Sequence, residues 1–195
     1  QQMRLHDDPE IQQSLDKLWG KTRSTPEEKF AQIERLRTLI STLHTTPETR
    51  SPNADTRSPD PYHGRDLFKK HCGVCHTLFD EGGQTGPNLT GYERTNLDFL
   101  LLAIVDPSAA IREEFTQYQI VTLDGRVLVG LIDAQTPTTV TLRTANNQTT
   151  LVNRDDIDIL QAMDTSIMPD GVVDKLTDAE LRDLFAYLIA RTPPQ

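Results

Sequence analysis

Apolar residues recur along this chain with two periods, a helical one towards both ends and an alternating one between them. Spacings of three and four residues predict helices at residues 11–18, 25–43, 62–70 and 95–105, and in a closing segment from Thr177 to the last prolines. Thr25 and Thr177 are each followed three residues later by a glutamate, the capping-box pattern that starts a helix. The apolar stripe of each helix therefore needs a packing partner.

The middle of the chain is rich in Val, Ile, Thr and Leu with an alternation of period two. This pattern predicts five strands, at residues 115–123, 126–133, 138–144, 149–153 and 157–163. Asp124-Gly125 and Asn146-Asn147 suit two-residue turns that need a positive φ, which indicates antiparallel hairpins. We therefore expect a small antiparallel sheet at about residues 115–163.

Residues 46–61 contain four prolines and no large apolar side chain, which is typical of a linker or an extended segment. We expect three parts: an N-terminal helical segment over residues 1–45, the linker over 46–61, and a main domain over 62–195 that carries the sheet.

Net charge narrows the choice of partners. The formal charge of −9 disfavours nucleic acid or an anionic membrane as the main partner, and favours an electropositive protein surface or a neutral partner. No run approaches the length of apolar residues that a membrane-spanning helix needs. The oligomeric state stays open at this stage.

The chemistry of the chain concentrates at Cys72, Cys75 and His76, whose CxxCH spacing matches the covalent attachment of one c-type haem. The two thiols would add to the porphyrin vinyl groups, and His76 would become an iron ligand. A thioredoxin-like dithiol or half of a zinc site can show the same spacing. Haem attachment takes place in an exported, periplasm-like compartment, so we expect a mature fragment whose precursor carried an export signal.

Two further residues would complete such a site. A proline-preceded turn can aim the Pro87 carbonyl at the ring nitrogen of His76 that does not bind iron. Met168 places a thioether in an extended segment outside any apolar rhythm, which makes it the leading second iron ligand. Met163 is the runner-up for this ligand, but it falls in the apolar pattern of the last strand.

The order of these features resembles class I cytochrome c: a helix with Gly64 and Phe68, the CxxCH motif, Gly86-Pro87-Asn88-Leu89, a middle helix, Met168-Pro169, and a last helix with Tyr187. The resemblance implies a mainly α cytochrome c fold, with the small antiparallel β-sheet inserted, α+β overall. It implies that the first and last helices cross at Gly64, Phe68 and Tyr187, that the Pro87 carbonyl supports His76, and that Met168 is the second iron ligand. The glycine-rich loop 82–91, which includes Leu89, is expected to form the wall of a haem crevice or a flexible surface loop. Arg94 and Arg112 are candidates to pair with haem propionates, and each is equally consistent with a plain surface charge.

The sheet, together with residues 91–97, 106–109 and 168–171 and the turn Asp124-Gly125-Arg126, is similar to the haem-binding domain of the Pirellula/Verrucomicrobium type. That resemblance implies a C-terminal module of large exported dehydrogenase-like proteins, hence a dehydrogenase domain or a separate redox protein as partner. The predicted function is single-electron transfer rather than bond-making catalysis. Two alternatives stay open: a haem site that loses Met168 and binds a small gas or peroxide, and a zinc or dithiol protein without haem.

Overall fold

The computed structural model describes residues 21–41, 43 and 57–194. The helix expected at residues 11–18 and most of the expected linker lie outside these residues. The chain divides into two compact units, one made of residues 26–105 and 170–195, the other of residues 1–25 and 106–169. We call them the helical unit and the sheet unit.

The described residues form four α-helices and nine β-strands. The α-helices are α1 (Glu27–Ser41), α2 (Pro61–His71), α3 (Leu97–Val105) and α4 (Asp178–Leu188). The strands are β1 (Lys21–Thr22), β2 (Thr77–Leu78), β3 (Glu81–Gly82), β4 (Ala110–Ile111), β5 (Thr116–Thr122), β6 (Val127–Gln135), β7 (Thr139–Arg143), β8 (Thr149–Asn153) and β9 (Ile157–Ser166). Short 3-10 turns span Leu89–Gly91, Glu113–Phe115 and Arg154–Asp156.

The predicted apolar stripes form the core of the helical unit. It is built from all four helices and from Leu78 and Val173, the helical members being Ile33, Leu36, Ile40, Leu67, Phe68, Leu100, Leu101, Val105, Leu181, Leu184, Phe185, Tyr187 and Leu188. The capping box predicted at Thr177 and Glu180 is present at the start of α4. Among the described residues, no helix is long and apolar enough to cross a membrane.

Helices α2 and α4 cross where α2 carries Gly64. A Cβ at position 64 would lie 2.0 Å from the Asp183 carbonyl oxygen and 2.9 Å from the Tyr187 Cβ. The Phe68 and Tyr187 rings meet next to this point, with their centroids 5.5 Å apart. The predicted crossing at Gly64, Phe68 and Tyr187 is confirmed, and it requires a residue without a side chain.

The sheet unit contains a five-stranded antiparallel sheet with the strand order β8-β7-β6-β5-β9. Its core is formed by Ile120, Val140, Leu142 and Val152, which are all less than 6% exposed. Gly125 and Asn147 have φ values of 85° and 62°, as the turn chemistry predicts. β1 and β4 form a separate two-stranded pair.

The expectation of a mainly α cytochrome c fold is wrong. Of the described residues, 35% are helical and 27% lie in strands. The apolar side chains of the five-stranded sheet form a hydrophobic core of their own, in a unit separate from the helical one. The alternating pattern in the sequence predicts these strands, but the expectation of a mainly α fold underestimates the share of residues that they contain.

Candidate functional site

Helix α2 delivers the CxxCH motif from its C-terminal end. Asp60 caps its start, with the carboxylate accepting from the Tyr62 amide at 2.9 Å. At the other end, the amides of Cys72 and Gly73 both donate to the Phe68 carbonyl, at 2.8 and 2.7 Å. Because Phe68 is fully buried in the core, the first cysteine is anchored directly to the packed interior.

The motif itself forms a closed turn, in which the His76 amide donates to the Cys72 carbonyl at 2.9 Å. The chain that follows folds back over it through the hairpin of β2 and β3. The Gly83 amide donates to the Gly73 carbonyl and the Gly86 amide to the Cys75 carbonyl, each at 2.8 Å. A Cβ at position 83 would lie 2.1 Å from the Val74 carbonyl oxygen, so the glycine permits this close approach.

The hairpin is also tied to α2 by charge. The Arg65 Nε donates to Glu81 Oε2 at 2.8 Å, and a second guanidinium nitrogen of Arg65 donates to the other carboxylate oxygen. This bond from Arg65 is the main reason that the pKa of Glu81 falls to about 2. The motif is thus held between a helix and a hairpin joined by a bidentate ion pair.

The imidazole of His76 has a defined orientation and tautomer. Its Nδ1 lies 3.0 Å from the Pro87 carbonyl oxygen. A carbonyl can only accept a hydrogen bond, so Nδ1 carries the proton and Nε2 keeps its lone pair. Burial lowers the pKa of His76, while the bond to Pro87 acts in the opposite direction, so the ring is neutral near pH 7. This is the state in which an imidazole binds a metal.

Cys72 and Cys75 are not joined by a disulfide, and both are partly buried. Burial raises the pKa of Cys72 to about 12 and also raises the pKa of Cys75. A redox dithiol needs a lowered thiol pKa, which this environment opposes. Within the described residues, no group of three or more His, Cys, Asp or Glu side chains is arranged to hold a metal ion. The donor set of two thiols and one neutral imidazole fits a haem c attached at this motif.

Arg94 donates hydrogen bonds to backbone carbonyls of the helical unit. Its Nε donates to the Leu89 carbonyl at 2.8 Å, and its Nη1 donates to the Ala190 carbonyl at 2.8 Å and to the Leu188 carbonyl. Its guanidinium also lies 5.1 Å from the centroid of the Phe79 ring. Leu89 is half-buried against the core. Arg94 thus joins the loop that follows Pro87 to the end of α4, and its pairing with a propionate stays a prediction.

The predicted site residues divide between the two units. Cys72, Cys75, His76, Pro87, Leu89 and Arg94 all lie in the helical unit, whereas Met168 lies in the sheet unit. Met168 is half-buried in the irregular segment after β9, and its amide donates to Ser166 Oγ at 3.1 Å. Met163 lies within β9 as expected. Arg112 is exposed and pairs with Glu114 at 3.1 Å.

Sequence reasoning missed Phe79, which supports the hairpin behind the motif. Phe79 and Asp80 have φ values of 52° and 64°, although neither is a glycine. The Phe79 ring packs edge-on against Tyr187, with the centroids 5.7 Å apart. These tertiary contacts offset an unfavourable backbone conformation, and nothing in the local sequence signals it.

The helix, the motif turn and the supported imidazole together form a candidate haem-attachment site. Residues 62–120 match the family model of Cytochrome c, a match that includes most of α2, the CxxCH motif, the Pro87 turn and α3. The match supports a cytochrome c-like domain in this part of the chain, and that family implies covalently bound haem c and haem-based electron transfer. No curated protein matches the chain.

Proposed function

We propose that this chain binds one haem c through thioether bonds at Cys72 and Cys75, with His76 and Met168 as the two iron ligands. The observation that carries the proposal is the His76 imidazole, which is neutral, fixed in one tautomer by Pro87 and next to the Cys72 and Cys75 thiols of the same turn. When bound, the haem supplies a one-electron redox centre. The protein holds it in position and limits its access to water.

Met168 enters the proposal from the sequence, where Met168-Pro169 follows the CxxCH motif in the order typical of class I cytochromes. A thioether ligand combined with an imidazole ligand would favour reduced iron and raise the potential. The chain would then accept electrons at a relatively high potential and pass them on singly, without bond-making catalysis of its own.

We further propose that the electrons come from a dehydrogenase, either a domain attached to this chain or a separate protein. The support is the resemblance of the sheet and its flanking motifs to the Pirellula/Verrucomicrobium-type domain. An exported or periplasmic location fits this role, since cytochrome c domains are usually found there.

Replacement of Met168 tests the proposed ligand. In the ferric haem protein, Met168→Ala should abolish the weak red absorption band of methionine-ligated haem, and the reduced form should then bind carbon monoxide rapidly. Met163→Ala, five residues earlier in β9, is the matched control and should retain both wild-type properties. A wild-type protein that lacks the band and binds carbon monoxide rapidly would instead show an open, ligand-binding site.

A further inference from the structure

The segment that carries Met168 is tied to the sheet unit by a short chain of hydrogen bonds. The Ser166 amide donates to Ser108 Oγ at 3.0 Å, and the Met168 amide donates to Ser166 Oγ at 3.1 Å. Ser166 also pairs with Thr116 at the start of β5. The Met168 backbone is therefore two hydrogen bonds away from Ser108, in a part of the chain that has no regular secondary structure.

A buried amide reinforces this connection. Gln117, only 7% exposed, directs its Nε2 at the Thr165 carbonyl at 2.9 Å, the Thr165 hydroxyl at 3.0 Å and the Ser166 carbonyl at 3.3 Å. A primary amide has two N–H groups, so one of them is shared between two acceptors. All the hydrogen-bonding capacity of this nitrogen is thus directed at the residues just before Met168.

The reason that Gln117 can do this lies in the register of β5 and β9. Thr116 pairs with Ser166 and Tyr118 with Ala162, so the single residue Gln117 lies opposite Met163, Asp164 and Thr165. This irregularity interrupts the ladder of backbone bonds, and the carbonyls of the bulged strand need another donor. The Gln117 side chain supplies it.

We infer that Gln117 and Ser108 are positioning residues for the proposed iron ligand Met168, and that holding this segment is a function of the sheet unit. The inference rests on the proposed role of Met168. A ligand carried by irregular backbone binds iron firmly only if its neighbours restrict that backbone beforehand, because the entropy of ordering the segment otherwise opposes each binding event. Loss of the anchors should therefore favour the form in which the thioether has left the iron.

The test compares Gln117→Leu with Gln119→Leu in the haem-loaded protein. Gln119 lies two residues further along β5, where the backbone pairing is regular, so it receives the same substitution away from the bulge. We expect Gln117→Leu to raise the rate of carbon monoxide binding to the reduced protein roughly tenfold, since an unsatisfied buried group shifts a local equilibrium by about that factor. The red band of the ferric form should also disappear at a lower temperature, before the circular dichroism of the sheet changes.

Ser108→Ala provides a second variant in case Gln117→Leu disturbs the sheet. It removes one acceptor without adding bulk, and it should shift both readouts in the same direction. If both variants match the wild type while Met168→Ala opens the site, the positioning role is wrong and the proposed ligand stands. If Met168→Ala itself leaves the spectrum and the carbon monoxide rate unchanged, the proposed ligand is wrong, and the inference fails with it.

Discussion

The His76 imidazole is set by two backbone features of one short loop, the Pro87 carbonyl and the Gly86 α-carbon. A Cβ at position 86 would lie 2.7 Å from His76 Cε1 and 2.9 Å from Nδ1, so the loop packs flat against the ring. The hydrogen bond to Pro87 makes Nε2 more basic, so His76 as a ligand would favour ferric over ferrous iron. Orientation and basicity therefore depend on the same few atoms.

Gly86→Ala should disturb both the orientation of the His76 ring and the basicity of its Nε2. The added methyl group must displace the ring or the loop and weaken the bond between Nδ1 and the Pro87 carbonyl. We expect the midpoint potential of the haem protein to rise by about 20–60 mV, the one-electron equivalent of a hydrogen bond worth about 0.5–1.5 kcal/mol. Redox titration measures it, with Gly91→Ala as control, because no atom lies within 4 Å of a Cβ at that position. Equal potentials for the two variants would contradict this role of Gly86.

At this scale the sequence is informative where the chemistry lies in a contiguous motif. The CxxCH spacing and the turn at Pro87 point to particular atoms, because the chain itself brings them together. Phe79 could not be identified in this way, since its positive φ depends on packing against Tyr187, more than a hundred residues away. Gln117 was also missed, because its role follows from a register irregularity that alternation alone does not predict.

Among the secondary-structure elements, the pair of α2 and α4 frames the motif, and the two helices are joined by a buried carboxylate. Asp183 of α4 is fully buried, and its carboxylate accepts from Arg57 at 2.7 Å, from the Asp60 amide at 2.7 Å and from His63 at 2.8 Å. Asp60 in turn caps α2. The residue at the centre of the last helix therefore fixes the start of the helix that leads to the CxxCH motif.

This network should make stability depend on pH. Burial acts to raise the pKa of Asp183, but the bonds from Arg57, Asp60 and His63 lower it overall. A lowered carboxyl pKa stabilises the fold above the unfolded-state value of about 3.9, and the stabilisation is lost as the pH falls through the folded-state pKa. Asp183→Asn replaces an acceptor oxygen by an NH₂ group, which cannot accept from the donors of Arg57, Asp60 and His63. This variant should lower the free energy of unfolding at pH 7 by about 1–3 kcal/mol.

Urea unfolding of the haem-loaded protein between pH 7 and pH 3 would measure this effect. The difference between the wild type and Asp183→Asn should stay constant down to about pH 4 and shrink below it, where the unfolded-state carboxyl becomes protonated. Asp178→Asn is the control, since Asp178 pairs with Arg35 at an exposed site of the same helix and should cost less than about 1 kcal/mol. A constant difference down to pH 3 would show that the charge of Asp183 does not stabilise the fold.

Most helices and strands follow from hydrophobic periodicity, and their ends from caps and turn residues. The predicted strand at residues 149–153 agrees with β8, and the helix predicted at 62–70 agrees with α2 within one residue at each end. The two-residue strands β1 to β4 were not predicted. Such short pairs have no periodicity of their own and form only where tertiary contacts bring the segments together.

For the whole molecule, the sequence indicated both kinds of secondary structure but not how they divide. A stretch of strands between helices can be an insertion on a helical core or a unit with its own core, and the local pattern is the same in both cases. The distinction depends on which apolar faces meet, and Ile120, Val140, Leu142 and Val152 meet one another. The prediction of a mainly α fold therefore failed at the level of assembly rather than of elements.

The central claim is that the chain carries one haem c, bound covalently at Cys72 and Cys75. Intact mass measured under denaturing conditions, together with a pyridine haemochrome spectrum, tests it most directly in protein made with haem-attachment machinery. We predict a mass increase of one haem and the spectrum of a haem whose two vinyl groups are saturated, both absent from the Cys72→Ala/Cys75→Ala variant. A colourless protein of unmodified mass, or a haem removed by acidic organic solvent, would contradict the claim.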